Sequence, residues 1–189
     1  AARGAAAYLS YLGIYSTTKD PDMVIEAHRK ISDAPFQIQF YPLAGNNAAL
    51  FSALLRERRP QDRIICKQMS HDDYIRALFD TKIGLMPYHS YKYAVQASGL
   101  LEDYMFAGIP TVVPQDTWLS YFQAMFDGGG LTFDPDKAND FEAKIQSVID
   151  NYAEHKERAG RAVALISKER NVTNYLRILY ALEETRQCH

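Results

Sequence analysis

Residues 98–114, SGLLEDYMFAGIPTVVP, place two adjacent carboxylates, Glu102 and Asp103, inside a run that is otherwise small or apolar. Leu100, Leu101, Tyr104, Met105 and Phe106 occupy almost the whole circumference of a helix beginning near Ser98, so that helix is expected to be buried between other elements. A charge there is costly unless it is paired or faces a crevice. About one turn from the helix start, Glu102 can reach a cleft, where a carboxylate accepts hydrogen bonds from sugar hydroxyls. The open backbone amides at Gly99 and Leu100, with the positive end of the helix dipole, favour a phosphate, and Gly99 lets backbone and ligand approach closely. One helix mouth of this kind holds a phosphate and a ribose together. The plainer alternative has Ser98 as a simple N-cap and Glu102 paired with a lysine or arginine, and the local pattern leaves both open. Asp103, about 100° further round the helix, is expected at the surface or in an ion pair.

The elements that must position this mouth alternate short apolar runs with helical periodicity, the pattern of a parallel sheet covered by helices on both faces. Strands are expected at residues 6–14, 36–43, 63–66, KIGLMPY (82–88), IPTVVP (109–114) and LTF (131–133). Asp20 with Pro21 is a strong helix start, and Ser70 with Asp73 resembles a capping box. HSYKYAVQA (89–97) has no sustained period and is expected as a loop. A helix is expected from Leu119 to Phe126, and a helical segment runs over residues 154–185. Phe141, Ile145, Val148 and Tyr152 form one apolar stripe, and Val172, Tyr175, Leu176, Leu179 and Leu182 another. The whole, residues 1–189, reads as one α/β domain, a three-layer Rossmann-like α/β/α arrangement with a parallel sheet of about six strands. Ligands of such folds bind at the carboxyl ends of the strands. His89, just beyond the fourth strand, is the histidine best placed for ligand contact. Tyr88, Tyr91 and Tyr93 around the same loop offer a face for a sugar or base, or a patch for a further domain to cover.

Composition narrows the partners. A formal net charge of −2, from 21 basic and 23 acidic side chains, is mixed along the chain and leaves no footprint for nucleic acid or an anionic membrane. The cluster RERR at Arg56 to Arg59 reads as a solvated helix end. Cys66 and Cys188 form neither a disulfide framework nor a zinc spacing, and no metal is assigned to any histidine. His155 is expected to be exposed. A cytoplasmic location fits, with any membrane association coming through a further domain. YLGIYSTTKD lacks the glycines of a dinucleotide fingerprint, and no Walker-type loop is present.

Taken in order and spacing, the segments LG, KDPDMVIEAHRKI, IICKQMSHDDYIRALFDTKIGLMPY and LLEDYMFAGIPTVV resemble the carboxyl-terminal domain of GT-B glycosyltransferases of the "glycosyl transferases group 1" type, over about Tyr8 to Tyr180. Ala107, Gly108, Pro110, Val112 and Val113 match the family's turn into its fifth strand, and Glu102 falls on the second glutamate of its paired-glutamate motif. The resemblance implies a nucleotide-sugar donor such as a UDP-, GDP- or ADP-sugar as substrate, no further cofactor, and a glycan, lipid or other acceptor. It also implies an amino-terminal GT-B domain, for which the residues before Tyr8 are too few, so the chain resembles half an enzyme. Carried over by position, Lys19 matches the lysine on the donor diphosphate and, with Glu102, forms the implied catalytic pair. Gly13 matches the glycine after the first strand, and Lys67, Gln68 and Met69 match the segment that meets the nucleobase. With His89, Ser98, Gly99 and Leu100 they complete the expected donor site.

Two positions depart from the family pattern. The arginine after the first-strand glycine is Ile14 here, and the first glutamate of the pair, eight positions before Glu102, is Ala94. Lys92 and His89 are the residues of that loop able to compensate. The implied activity is hexosyl transfer, with retention suggested by the glutamate motif and the isolated domain inactive. A non-catalytic interaction domain that keeps the fold is the second reading.

Overall fold

The computed structural model describes residues 7–13, 18–41 and 47–170. Six parallel strands form one sheet in the order β3-β2-β1-β4-β5-β6: β1 (Tyr8–Tyr11), β2 (Phe36–Gln39), β3 (Arg63–Ile65), β4 (Thr81–Leu85), β5 (Thr111–Pro114) and β6 (Leu131–Phe133). The helices are α1 (Pro21–Lys30), α2 (Asn47–Glu57), α3 (His71–Phe79), α4 (Ser90–Tyr93), α5 (Gly99–Phe106), α6 (Trp118–Met125), α7 (Asp140–Asp150) and α8 (Tyr152–Glu169). The chain runs outward from β1 to β3, then returns to β4 beside β1 and runs the other way. The switch therefore lies between β1 and β4, where open α/β sheets hold ligands.

The period of two along each strand sorts side chains onto two faces. Leu9, Tyr11, Ile83, Leu85 and Val112 meet α1, α2 and α7, with Val24, Leu54, Phe141, Ile145 and Val148 fully or almost fully buried. Leu12, Met86 and Val113 face α3, α5, α6 and α8, where Leu101, Tyr104, Met105, Leu119 and Ile166 complete a second core. Gly84 is required by this packing: a Cβ there would stand 2.7 Å from the Tyr104 ring. Tyr104 is thus drawn against the sheet, and its hydroxyl donates to the Ser10 carbonyl at 3.2 Å.

The helix starts follow the expected chemistry. Asp20 accepts from Met23 N–H at 3.3 Å and Ser70 from Asp73 N–H at 3.2 Å. Several expectations are corrected. The segment 89–97 contains the one-turn helix α4, a length too short to show a helical period. Helix α5 is buried on one side only, since Phe106 remains 41% exposed. His155 is buried, with Nδ1 2.7 Å from the Gly129 carbonyl oxygen. Arg59 is no solvated helix end: its guanidinium donates to the Ile31 and Ala34 carbonyls and to Asp62. The strands are shorter than their apolar runs, because apolar residues continue into the connections at both ends. Ile14 and the stripe from Val172 to Leu182 lie outside the described residues. No helix among the described residues is long and apolar enough to cross a membrane.

Candidate functional site

The switch point is built by a small antiparallel bridge. Lys19 pairs with Tyr88, Asp20 N–H donates to the Pro87 carbonyl at 2.7 Å, and His89 N–H to the Thr18 carbonyl at 2.9 Å. The segment entering α1 is thereby fastened to the segment leaving β4. Tyr88 lies 2% exposed beneath it, and burial pushes its phenol well above the ordinary range. The Lys19 ammonium stands 5.0 Å from the centre of that ring, a cation–π contact of order 0.5–2 kcal/mol. Burial holds the Lys19 amine below its ordinary value.

Gly13, two residues past β1, has φ +96, a conformation that L side chains rarely adopt. A Cβ at this position would stand 3.1 Å from Lys19 Nζ and 3.6 Å from Leu100 Cδ2. Gly13, Lys19 and the first turn of α5 are therefore one locus at the carboxyl edge. The amides of Gly99 and Leu100 head that helix without intrahelical acceptors, and space around Gly99 is open, with no atom within 4 Å of an added Cβ. A cation, a close-approach glycine and the open amides of a helix start in one region are chemistry that suits an anion.

The other expected residues are placed differently. Ser98 is 8% exposed and makes no side-chain cap on α5; its hydroxyl is hydrogen-bonded to the Tyr88 phenol instead. Glu102 Oε1 accepts from Arg170 Nη2 at 2.9 Å, with the two side chains 30% and 44% exposed. This is the ion pair left open by the local sequence. Asp103 accepts from the Tyr74 hydroxyl. Lys67 and Gln68 are exposed after β3, whereas Met69 packs against the second core. His89 caps α4 and stacks on Tyr91, ring centres 5.6 Å apart. Tyr88 and Tyr93 turn inward and pack on each other at 4.5 Å, leaving Tyr91, 77% exposed, as the open aromatic of that loop. Ala94 is exposed on the rim of a 660 Å³ cleft beside the β5–α6 connection. Among the described residues no group of three histidine, cysteine, aspartate or glutamate side chains is placed to hold a metal.

Gln39 was not anticipated. It is 4% exposed at the end of β2, where Oε1 accepts from Gly13 N–H at 2.8 Å and Nε2 points to the Lys67 carbonyl at 3.5 Å. It joins the connections after β1, β2 and β3 and holds the Gly13 turn in place. The signal was the FQIQF alternation, two amides on one face of a strand whose other positions are apolar.

No protein-family model and no curated protein matches this sequence. Solved structures do. Sucrose-phosphate synthase from Thermosynechococcus elongatus superposes with a TM-score of 0.73 at 14% identity, over 99% of this chain and 47% of that one. The fold is that of one half of a GT-B glycosyltransferase. HepE from Anabaena, solved in complex with UDP-glucose, gives a TM-score of 0.70 at 16% identity over 94% of this chain and 48% of its own. WaaG, a glycosyltransferase involved in lipopolysaccharide biosynthesis, gives 0.65 at 14% identity over 86% and 43%. The chain thus spans about half the length of the proteins that share this GT-B fold.

Proposed function

We propose that the chain is the donor half of a glycosyltransferase, holding the diphosphate of a nucleotide-sugar between Lys19 and the amides of Gly99 and Leu100. The observation that carries this reading is the convergence of Lys19, Gly13 and the α5 start at the strand-order switch. In transfer, charge develops on the departing diphosphate. An ammonium and helix amides fixed beforehand stabilise that charge without reorganising. The acceptor and the rest of the cleft come from a second domain, so the isolated chain binds donor without turning it over. Donors of the UDP, GDP and ADP series all fit this phosphate chemistry, and the mouth demands no further cofactor.

Glu102 takes the ribose hydroxyls in this reading by exchanging its bond from Arg170. Both side chains are part-exposed, and such surface pairs are worth only about 0–1 kcal/mol. A non-catalytic domain is the second reading, favoured by Ala94 in place of a carboxylate and by the occupied Glu102. Calorimetric titration with UDP, GDP and ADP separates the two. Donor function predicts binding of at least one, weakened tenfold or more in Lys19→Met and measurably in Glu102→Ala. Silence toward all three leaves the non-catalytic reading.

A further inference from the structure

A groove of 590 Å³ lies between α6 and the end of α8. Buried Phe122 and Phe126 line it, with Trp118 stacked on Phe122 at 4.6 Å and Phe126 edge-on to the same ring at 5.1 Å. Tyr121, Met125 and Leu165 stand around it 64%, 52% and 50% exposed. Large apolar side chains left open around one groove mark a docking surface. The only charged side chains that line it among the described residues, Glu169 and Arg170, belong to the end where the chain leaves α8. Small-molecule sites carry convergent polar groups that fix orientation, whereas this lining suits the apolar face of a further element.

The chain itself supplies such an element at the groove. Arg170 closes α8, its N–H donating to the Ile166 carbonyl at 2.8 Å. Its guanidinium donates to Glu102 and stands 5.1 Å from the centre of the Phe122 ring. The next residues, Asn171 to Asn174, are NVTN, poor helix formers and good helix caps, so the pattern predicts a turn and a new helix start. Val172, Tyr175, Leu176 and Leu179 recur at i, i+3, i+4 and i+7, the spacing of a helix that lays one face into a groove. Leu182 continues that stripe, while Asn174, Arg177, Ala181 and Glu184 fall on the other side of the same helix. The lengths agree as well. Val172 is two residues beyond Arg170, at most about 7 Å of chain, and residues 174–183 as a helix run about 15 Å, against about 12 Å for α6.

We propose that residues 172–182 fold back as a helix into the α6–α8 groove of their own chain, with Tyr175, Leu176 and Leu179 covering Trp118, Tyr121, Met125 and Leu165. A segment tethered at the rim is present there at a millimolar effective concentration, an advantage that a second copy of the chain lacks. Arg170 is then held from both sides, by α8 and by the docked helix, with its guanidinium on Glu102.

Trp118 is the chain's one tryptophan, so its emission and its quenching by acrylamide report on the groove. Arg177 gives trypsin a cleavage site inside the segment, followed by mass spectrometry. The full chain is compared with the double variant Leu176→Asp/Leu179→Asp, and with Tyr121→Ser and Leu165→Ser, whose side chains are at least half exposed and leave the two cores intact; circular dichroism checks the fold of each. In the segment variant, Trp118 emission is expected to move to the red and its quenching constant to rise at least twofold. Cleavage at Arg177 is expected to accelerate at least tenfold in the segment variant and in both groove variants, with every protein sedimenting as a monomer. Unchanged Trp118 quenching in the segment variant overturns the docking. Cleavage at Arg177 that ignores both groove variants overturns it too, since the segment then packs elsewhere. A full chain that sediments as a dimer, and a segment variant that sediments as a monomer, assign the groove to a second copy and overturn the same-chain occupant. If a groove variant loses its fold, the segment variant decides alone through Trp118.

Discussion

At the scale of single residues, burial changes the acid–base chemistry of Lys19. Burial favours its neutral form, and a diphosphate beside it favours the ammonium. Its proton affinity in the free chain is below the ordinary lysine value and rises on binding. Diphosphate affinity should therefore be flat with pH below the free-state pKa of Lys19 and fall by up to tenfold per pH unit above it. Calorimetry across the alkaline range checks this, and Lys19→Met should flatten the profile. Glu102 gives the opposite lesson: a carboxylate that the local sequence left between ribose and ion pair is engaged by Arg170 across 68 residues of chain.

At the scale of elements, Asp62 fastens the edge of the sheet opposite the site. It accepts from the Phe36 amide at 2.9 Å, meets His28 Nε2 at 2.8 Å and receives Arg59, so α1, the start of β2 and the approach to β3 share one acid. Burial would raise its carboxyl, but these hydrogen bonds outweigh burial and hold it below the ordinary value. The stabilisation is present above the ordinary aspartate pKa and is lost as pH falls through the depressed folded value. Asp62→Ala leaves several buried donors without an acceptor and should cost about 3–5 kcal/mol, read as a lower urea midpoint. The element order was legible beforehand because Asp20, Ser70, Gly108 and the apolar runs punctuate the chain locally. Helix α4 was not, because one turn gives no periodicity, and the burial of His155 was not, because its Gly129 partner lies 26 positions away.

At the scale of the molecule, one sheet backs both cores, so neither face can be lost while the other keeps its packing. The chain should unfold in a single transition, monitored by circular dichroism. A diphosphate that binds the folded mouth, supplied at 100 times its dissociation constant, should add about 2.7 kcal/mol. That is roughly 5–10 °C in the midpoint for a chain of this size, and Lys19→Met should abolish the shift. The resemblance carried by scattered segments and the superposition on GT-B structures agree on the fold, although identity is only 14% for sucrose-phosphate synthase. Packing on a parallel sheet constrains which positions are apolar, small or turning, and it tolerates wide change in which residues fill them.

The sequence by itself determined the alternation of strands and helices, the six-stranded parallel sheet and the nearness of the α5 start to the carboxyl edge of that sheet, because periodicity, caps and turn residues act over a few positions. Tertiary structure alone decided the chemistry of the site. It set Lys19 over Tyr88, Gln39 beneath Gly13 and Arg170 on Glu102. Those contacts join residues far apart in the chain, and their energies depend on distance and burial, neither of which a linear pattern encodes.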